Sequence, residues 1–243
     1  MARKRDEFGR NGYCVLASAV TTEVCHRVGR EIADLLNSDF NDSIEAGGSS
    51  ARSSRSYVGA RNLQQKWDGW RQITESPSVA EFAGSILGFR AGLVRILYFD
   101  KPPGKGWSLA LHKDRTIAVK AHRTPATPFA KPTTKAGVPH VEATTGLLAN
   151  MLTLRLHLDA MHAGNGPLIV VPGSHLETNQ SSSSDATEIY CNAGDVFVMR
   201  PMLSHGSRNA VAKNTDHRRV VHLEIAADES LPGEYEWYQF SPV

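Results

Sequence analysis

Two stretches carry side chains whose types and spacing suit metal chemistry. In the run Trp107-Ser-Leu-Ala-Leu-His-Lys-Asp-Arg-Thr-Ile-Ala-Val119, His112 and Asp114 stand two residues apart. On a strand, side chains at i and i+2 point to the same side, so an imidazole and a carboxylate can meet at one point. A third ligand would complete the face of two histidines and one carboxylate that binds iron(II) and leaves coordination positions open for reactants. His205 is the candidate: it follows the apolar run Val196-Phe-Val-Met199, where a strand running into a turn can face a cavity mouth. Further on, Arg218 opens the strand-like segment Arg218-Arg-Val-Val-His-Leu-Glu-Ile-Ala226. A guanidinium there can hold a carboxylate through two parallel hydrogen bonds.

Spacing alone leaves alternatives open. Among ten histidines there is a second His-x-Asp, His157-Leu-Asp159, which pairs with His205 equally well on paper. His175 rivals His205 as third ligand, although Pro172-Gly-Ser-His175 reads first as a tight turn. Arg219 competes with Arg218, and facing separates them. Arg219, Val221, Leu223 and Ile225 share the apolar side, while Arg218, Val220, His222 and Glu224 share the other.

The elements that must position these residues follow from periodicity. Phe8 to Gly12 reads as a turn entering a short strand, and a helix capped by Thr21 or Thr22 follows, with Val24, Val28, Ile32 and Leu35 forming one stripe. From Ser38 to Ser56 the periodicity is lost, which predicts a flexible loop or a lid. Ser76-Pro77 starts a second helix that Gly88 can end. Beyond it the chain reads mainly as strands. Met151-Leu-Thr-Leu-Arg-Leu-His-Leu-Asp159 alternates strictly, with leucines on one face and Thr153, Arg155, His157 and Asp159 on the other. The stretch from Ala121 to Thr145, rich in proline, threonine and lysine, predicts a long surface connection, and Ser181 to Ser184 a polar loop. Two helices followed by about eight short strands imply a mainly β fold with flanking helices, a double-stranded jelly roll of the cupin kind.

Whole-chain properties narrow the function classes. At 243 residues the chain fits one domain spanning 1–243. A net charge of +2, with 27 basic residues scattered among 25 acidic ones, gives no stripe for nucleic acid. No apolar run approaches the roughly 18 residues of a membrane span, and the first residues lack the apolar segment of a signal peptide. Cys14, Cys25 and Cys191 show neither metal spacing nor a disulfide framework, which fits a reducing, cytoplasmic setting. The expected partner is a small molecule; oligomeric state is not readable.

These residues also resemble a known family, the phytanoyl-CoA dioxygenases, which are iron(II)- and 2-oxoglutarate-dependent oxygenases. The resemblance runs through Gly12-Tyr-x-Val-Leu16, Arg61-Asn-Leu63, Phe99-Asp-Lys-x-Pro103, Trp107 with His112-Lys-Asp-Arg-Thr-Ile-Ala-Val119, and Lys135-Ala-Gly-Val-Pro-His-Val141. It continues through Leu154 to Asp159, Asn165-Gly-Pro-Leu168, Pro172-Gly-Ser-His175, Gly194-Asp195, His205 and Arg218 to Glu224. It implies that His112, Asp114 and His205 bind iron(II) and that Arg218 meets the distal carboxylate of 2-oxoglutarate. Thr153 and Arg155 become further cosubstrate or substrate contacts. With O2 as second cosubstrate, the implied reaction yields succinate and carbon dioxide and hydroxylates an unactivated carbon. Desaturation, epoxidation or rearrangement would use the same oxidant, and halogenation is disfavoured by Asp114. A catalytically silent jelly roll that binds a small ligand is the reading from another class. Leu111 and Gly106 depart from an aromatic residue and an asparagine common in such relatives, which predicts an altered cavity wall. Arg52, Arg55, Arg61, Lys135 and His140 could meet an anionic group, although each taken singly also fits a solvated surface.

Overall fold

The computed structural model describes residues 1–45, 59–104, 107–176 and 185–243, with the side chains of 39–45 excepted. The chain begins with α1 (Ala2–Asn11), β1 (Tyr13–Leu16), α2 (Thr22–Glu45), β2 (Gly59–Arg61), the short α3 (Arg71–Thr74) and α4 (Pro77–Leu87). It goes on through β3 (Gly92–Lys101), β4 (Leu109–His112), β5 (Thr116–Ala118), β6 (Ala130–Lys135), β7 (Val138–Glu142), α5 (Thr145–Leu148) and β8 (Met151–His157). The last strands are β9 (Leu168–Val170), β10 (Thr187–Ile189), β11 (Val196–Met199), β12 (His205–Ser207), β13 (Arg218–Ala226) and β14 (Ser241–Pro242).

All pairings are antiparallel. A seven-stranded sheet runs β1-β11-β8-β13-β3-β14, with β2 added on β3. A four-stranded sheet, β10-β9-β12-β4, faces it to make the jelly roll, and β5-β7-β6 form a third, smaller sheet. The leucine alternation in β8 fixes which side is dry. Leu152, Leu154, Leu156 and Leu158 join Val221, Leu223 and Ile225 of β13 in one core with Phe8, Val28, Ile32 and Phe82 of the helices. That layer leaves the opposite faces of β8 and β13 looking into the roll. A second core, of Leu168, Val170 and Ile189 against Phe197 and Met199, joins the two facing sheets at one end.

Several expectations need correction. The N-terminal residues form a helix, not only a turn: α1 is highly charged and buries only Phe8, so its sequence shows no apolar stripe. Gly12 does end it, in the left-handed region at φ 79°, with its N–H donating to the Phe8 carbonyl at 2.8 Å. Helix α2 is capped by Thr21, whose Oγ1 accepts from the Val24 N–H at 3.3 Å, and it continues past Ser38 to Glu45. The rest of the loop expected to Ser56, and the serine run 181–184, lie outside the described residues. The stretch from Ala121 to Thr145 is not a plain connection: it supplies β6 and β7, which pair with each other while β7 also pairs with β5, and it buries Phe129, Val138 and Val141. Only three such apolar anchors are needed to seat a hairpin, too few to stand out as a pattern.

Candidate metal centre

His112 ends β4 and His205 begins β12, and the two are direct partners in the antiparallel register. Their rings lie 4.3 Å apart, centroid to centroid. Asp114 is two residues beyond His112, held there by its own N–H donating to the Pro201 carbonyl at 2.9 Å. Its carboxylate reaches back between the rings, 3.7 Å from His112 Nε2 and 3.5 Å from His205 Nε2. One ligand atom from each of the three residues lies within 4.8 Å of the others, an arrangement able to hold a metal ion.

The free nitrogens of both rings are also accounted for. His112 Nδ1 lies 3.0 Å from the Ala110 carbonyl and His205 Nδ1 lies 3.0 Å from the Leu203 carbonyl. A carbonyl only accepts, so each Nδ1 carries the proton and each Nε2 presents its lone pair to the common point. These outer acceptors come from the backbone two residues upstream, so no side-chain pattern could reveal them. Burial lowers the His205 pKa, and although burial raises that of Asp114, His205, His222, His112 and Arg95 outweigh it and hold the carboxylate below its ordinary range.

The rival residues lie elsewhere. His157 is fully buried, with neither ring nitrogen hydrogen-bonded. Asp159 lies past the end of β8, where alternation no longer applies, and its carboxylate takes both Nε and Nη2 of Arg219 at 2.8 and 2.7 Å. His175 packs against Gly12, away from the three ligands.

The three metal-facing residues open into a cavity of about 350 Å³ between the sheets. Arg155 and Arg218 line it, both buried, each with an Nε that has no hydrogen-bond partner among the described residues. Burial pulls Arg155 down to about 10 and Arg218 to about 9, the second also repelled by the first, so both stay charged near neutrality. Thr153 lies on the same strand as Arg155, buried but outside the lining. Sequence reasoning missed Lys101, which is register partner to Arg218 and almost wholly buried. Its Nζ donates to the Arg208 carbonyl at 2.7 Å and to Ser207 Oγ at 3.0 Å. Period-two reading of β3 would have found it, since Arg95, Leu97, Phe99 and Lys101 share one face. Leu111 lies off this lining, in a groove with Lys113, Arg115 and Ser204, so its departure alters a neighbouring surface and not the cavity wall; Gly106 lies outside the described residues.

The family comparison decides the class. The model of the phytanoyl-CoA dioxygenase (PhyH) family matches residues 8–220. The chain belongs to the phytanoyl-CoA dioxygenase family. Among curated proteins it has no match. Solved structures share the fold of this phytanoyl-CoA dioxygenase family member. AviO1 from Streptomyces viridochromogenes is 21% identical at a TM-score of 0.62, over 95% of this chain and 96% of that one. SnoN, a non-heme α-ketoglutarate-dependent epimerase of nogalamycin biosynthesis, is 17% identical at 0.64, over 100% and 92%. HygX from Streptomyces hygroscopicus, with nickel and 2-oxoglutarate bound, is 12% identical at 0.62, over 99% and 97%. No helix of the described residues is long and apolar enough to cross a membrane.

Proposed function

We propose that the protein is an iron(II)- and 2-oxoglutarate-dependent dioxygenase that hydroxylates an unactivated carbon of a small molecule, with release of succinate and carbon dioxide. The reading rests on one observation: two histidine Nε2 atoms and a carboxylate converge at a cavity that also holds two buried guanidiniums, neither hydrogen-bonded to a carboxylate among the described residues. A buried unpaired cation is costly, and two side by side are costlier, so this cavity is built for an anion of matching charge. 2-Oxoglutarate is a dianion.

In this reading His112, Asp114 and His205 hold the iron, and the carbonyls of Ala110 and Leu203 keep the histidines in the ligating tautomer. Arg218, with Arg155 beside it, fixes the carboxylate end of the cosubstrate. Bound together, iron, 2-oxoglutarate and O2 supply an oxidant strong enough for a C–H bond. The protein contributes position and a walled cavity that limits water and side reactions. Three unpaired thiols support a cytoplasmic setting.

The test is anaerobic titration of the iron(II)-loaded protein with 2-oxoglutarate, following the weak visible charge-transfer band of the chelate. The band is expected in wild type and weakened in Arg218→Ala. Bound iron without a band in wild type would sink the dioxygenase reading and leave the fold as a ligand-binding module.

A further inference from the structure

The cavity has two charged ends. Along β13, Arg218 and Glu224 are six residues apart, roughly 20 Å of strand. Opposite Arg218 stands Lys101, and opposite Glu224 stands Arg95. Arg218 belongs to the first end, and Arg155, opposite His222, stands between the two. At the second end, Arg95 Nη1 lies 3.5 Å from Glu224 Oε1, and both side chains are nearly buried. That pair is balanced within itself.

Two further cations stand near enough to share the Glu224 carboxylate, which leaves positive charge in excess at this end. Arg61, register partner of Leu97 on β2, and Lys135, at the end of β6, both line the cavity. Lys135 Nζ donates to Thr116 Oγ1 at 2.7 Å. The nearby Glu142 is already taken by Lys131 and Arg115. Among the described residues neither Arg61 nor Lys135 has a carboxylate partner, and the Arg95 Nε is buried without any partner. Leu97, Phe99, Trp107 and Leu109 supply apolar lining in the same cavity.

We propose that this end is the substrate subsite, and that it takes a small molecule with an apolar body and an anionic group, a phosphate or carboxylate, held by Arg61 and Lys135. The inference rests on the dioxygenase reading, because that reading places the cosubstrate at the opposite end. The anion fixes one end of the substrate at the mouth, and the apolar wall lays its body towards the metal-facing atoms. Two flexible, partly exposed cations suit an anion that must enter and leave, whereas a fully buried pair would bind it too permanently.

Protein saturated with iron(II) and 2-oxoglutarate under anaerobic conditions would be titrated calorimetrically with phenyl phosphate, benzoate and benzyl alcohol. Saturation keeps the probes out of the Arg155 and Arg218 end. Wild type is expected to bind at least one of the two anions more than about tenfold tighter than the alcohol; which anion wins separates phosphate from carboxylate. The double variant Arg61→Gln with Lys135→Gln should lose that preference while keeping its melting temperature and its charge-transfer band. No anion preference in wild type, or one that survives in the double variant, overturns the proposal. Loss of the band in the variant also overturns it, since the two cations would then serve the cosubstrate. If wild type shows no band, the dioxygenase reading fails separately, and the calorimetric preference still reports on this subsite.

Discussion

Arg219 and Asp159 form a two-bond clamp, Nε to Oδ2 at 2.8 Å and Nη2 to Oδ1 at 2.7 Å, on the helix side of the main sheet. Its neighbour Arg218 points the other way, into the cavity, with Nη1 donating to the Met161 sulfur at 3.8 Å. Two adjacent arginines therefore face opposite sides of the sheet. Arg218→Ala should weaken 2-oxoglutarate binding by about 2 kcal/mol or more, about 30-fold or more in Kd, with little change in melting temperature. Arg219→Ala should do the reverse, losing ~1–2 kcal/mol of stability in urea unfolding while keeping cosubstrate affinity. Equal losses of affinity in both would remove the distinction.

Asp114 is the one charged ligand of the three, and its carboxylate spans both rings. Asp114→Ala should abolish succinate release that depends on substrate, and iron content after anaerobic loading should fall well below one per chain. Hydroxylation that persists in this variant would refute the ligand assignment.

Among the described residues Lys101 has no carboxylate partner; it is satisfied by two carbonyls and the Ser207 hydroxyl. Burial, and then repulsion from Arg218 and Arg155, pulls its ammonium down to about 7. The charge is therefore present below that pH and lost above it, and only the charged form attracts a dianion. Affinity for 2-oxoglutarate should fall as pH rises from 6 to 8.5, by up to about tenfold, and binding near pH 7.5 should take up protons. Lys101→Met should flatten the profile. A level profile in wild type would show that Lys101 takes no part.

Gly206 lies where β12 presses on β4. A Cβ built there would come within 2.5 Å of the Leu109 carbonyl and 3.1 Å of the Ala110 carbonyl carbon. Those are backbone atoms and cannot swing aside. Gly206→Ala should push the His112 strand away from His205 and weaken metal binding about 10- to 100-fold, measured by competition with a chelator. Unchanged metal affinity would mean that the register tolerates the shift.

Much of this was legible because strands write their faces in steps of two. The leucines of β8 and the Val221, Leu223 and Ile225 set of β13 declared the dry side, which made Arg155, Arg218, His222 and Glu224 interior residues. Arg218 could be told from Arg219 on that basis alone. The charged helix α1 was not legible, because one buried phenylalanine makes no stripe. The pairing of β6 with β7 was hidden for a related reason: its outer face is polar and its anchors are sparse. The carbonyls of Ala110 and Leu203 had no signature at all, since every residue has one and only register brings them under the rings. Lys101 gave no signal because Pro102-Pro-Gly104 follows it directly and reads as a turn.

The histidine pairing joins two unequal strands. His205 sits inside the four-stranded sheet, with β9 on one side and β4 on the other, whereas β4 is the outermost strand and its first residues are exposed. A metal ion bridging them would therefore act as a clasp on a free margin, fastening an edge that backbone bonds hold from one side only. Assembly would have an order, with the inner imidazole waiting in place and the outer imidazole and carboxylate arriving with their strand. Loading the metal would then slow amide exchange around residues 109–114 far more than around 205–207, so that the reactive centre is also the last stitch in the sheet.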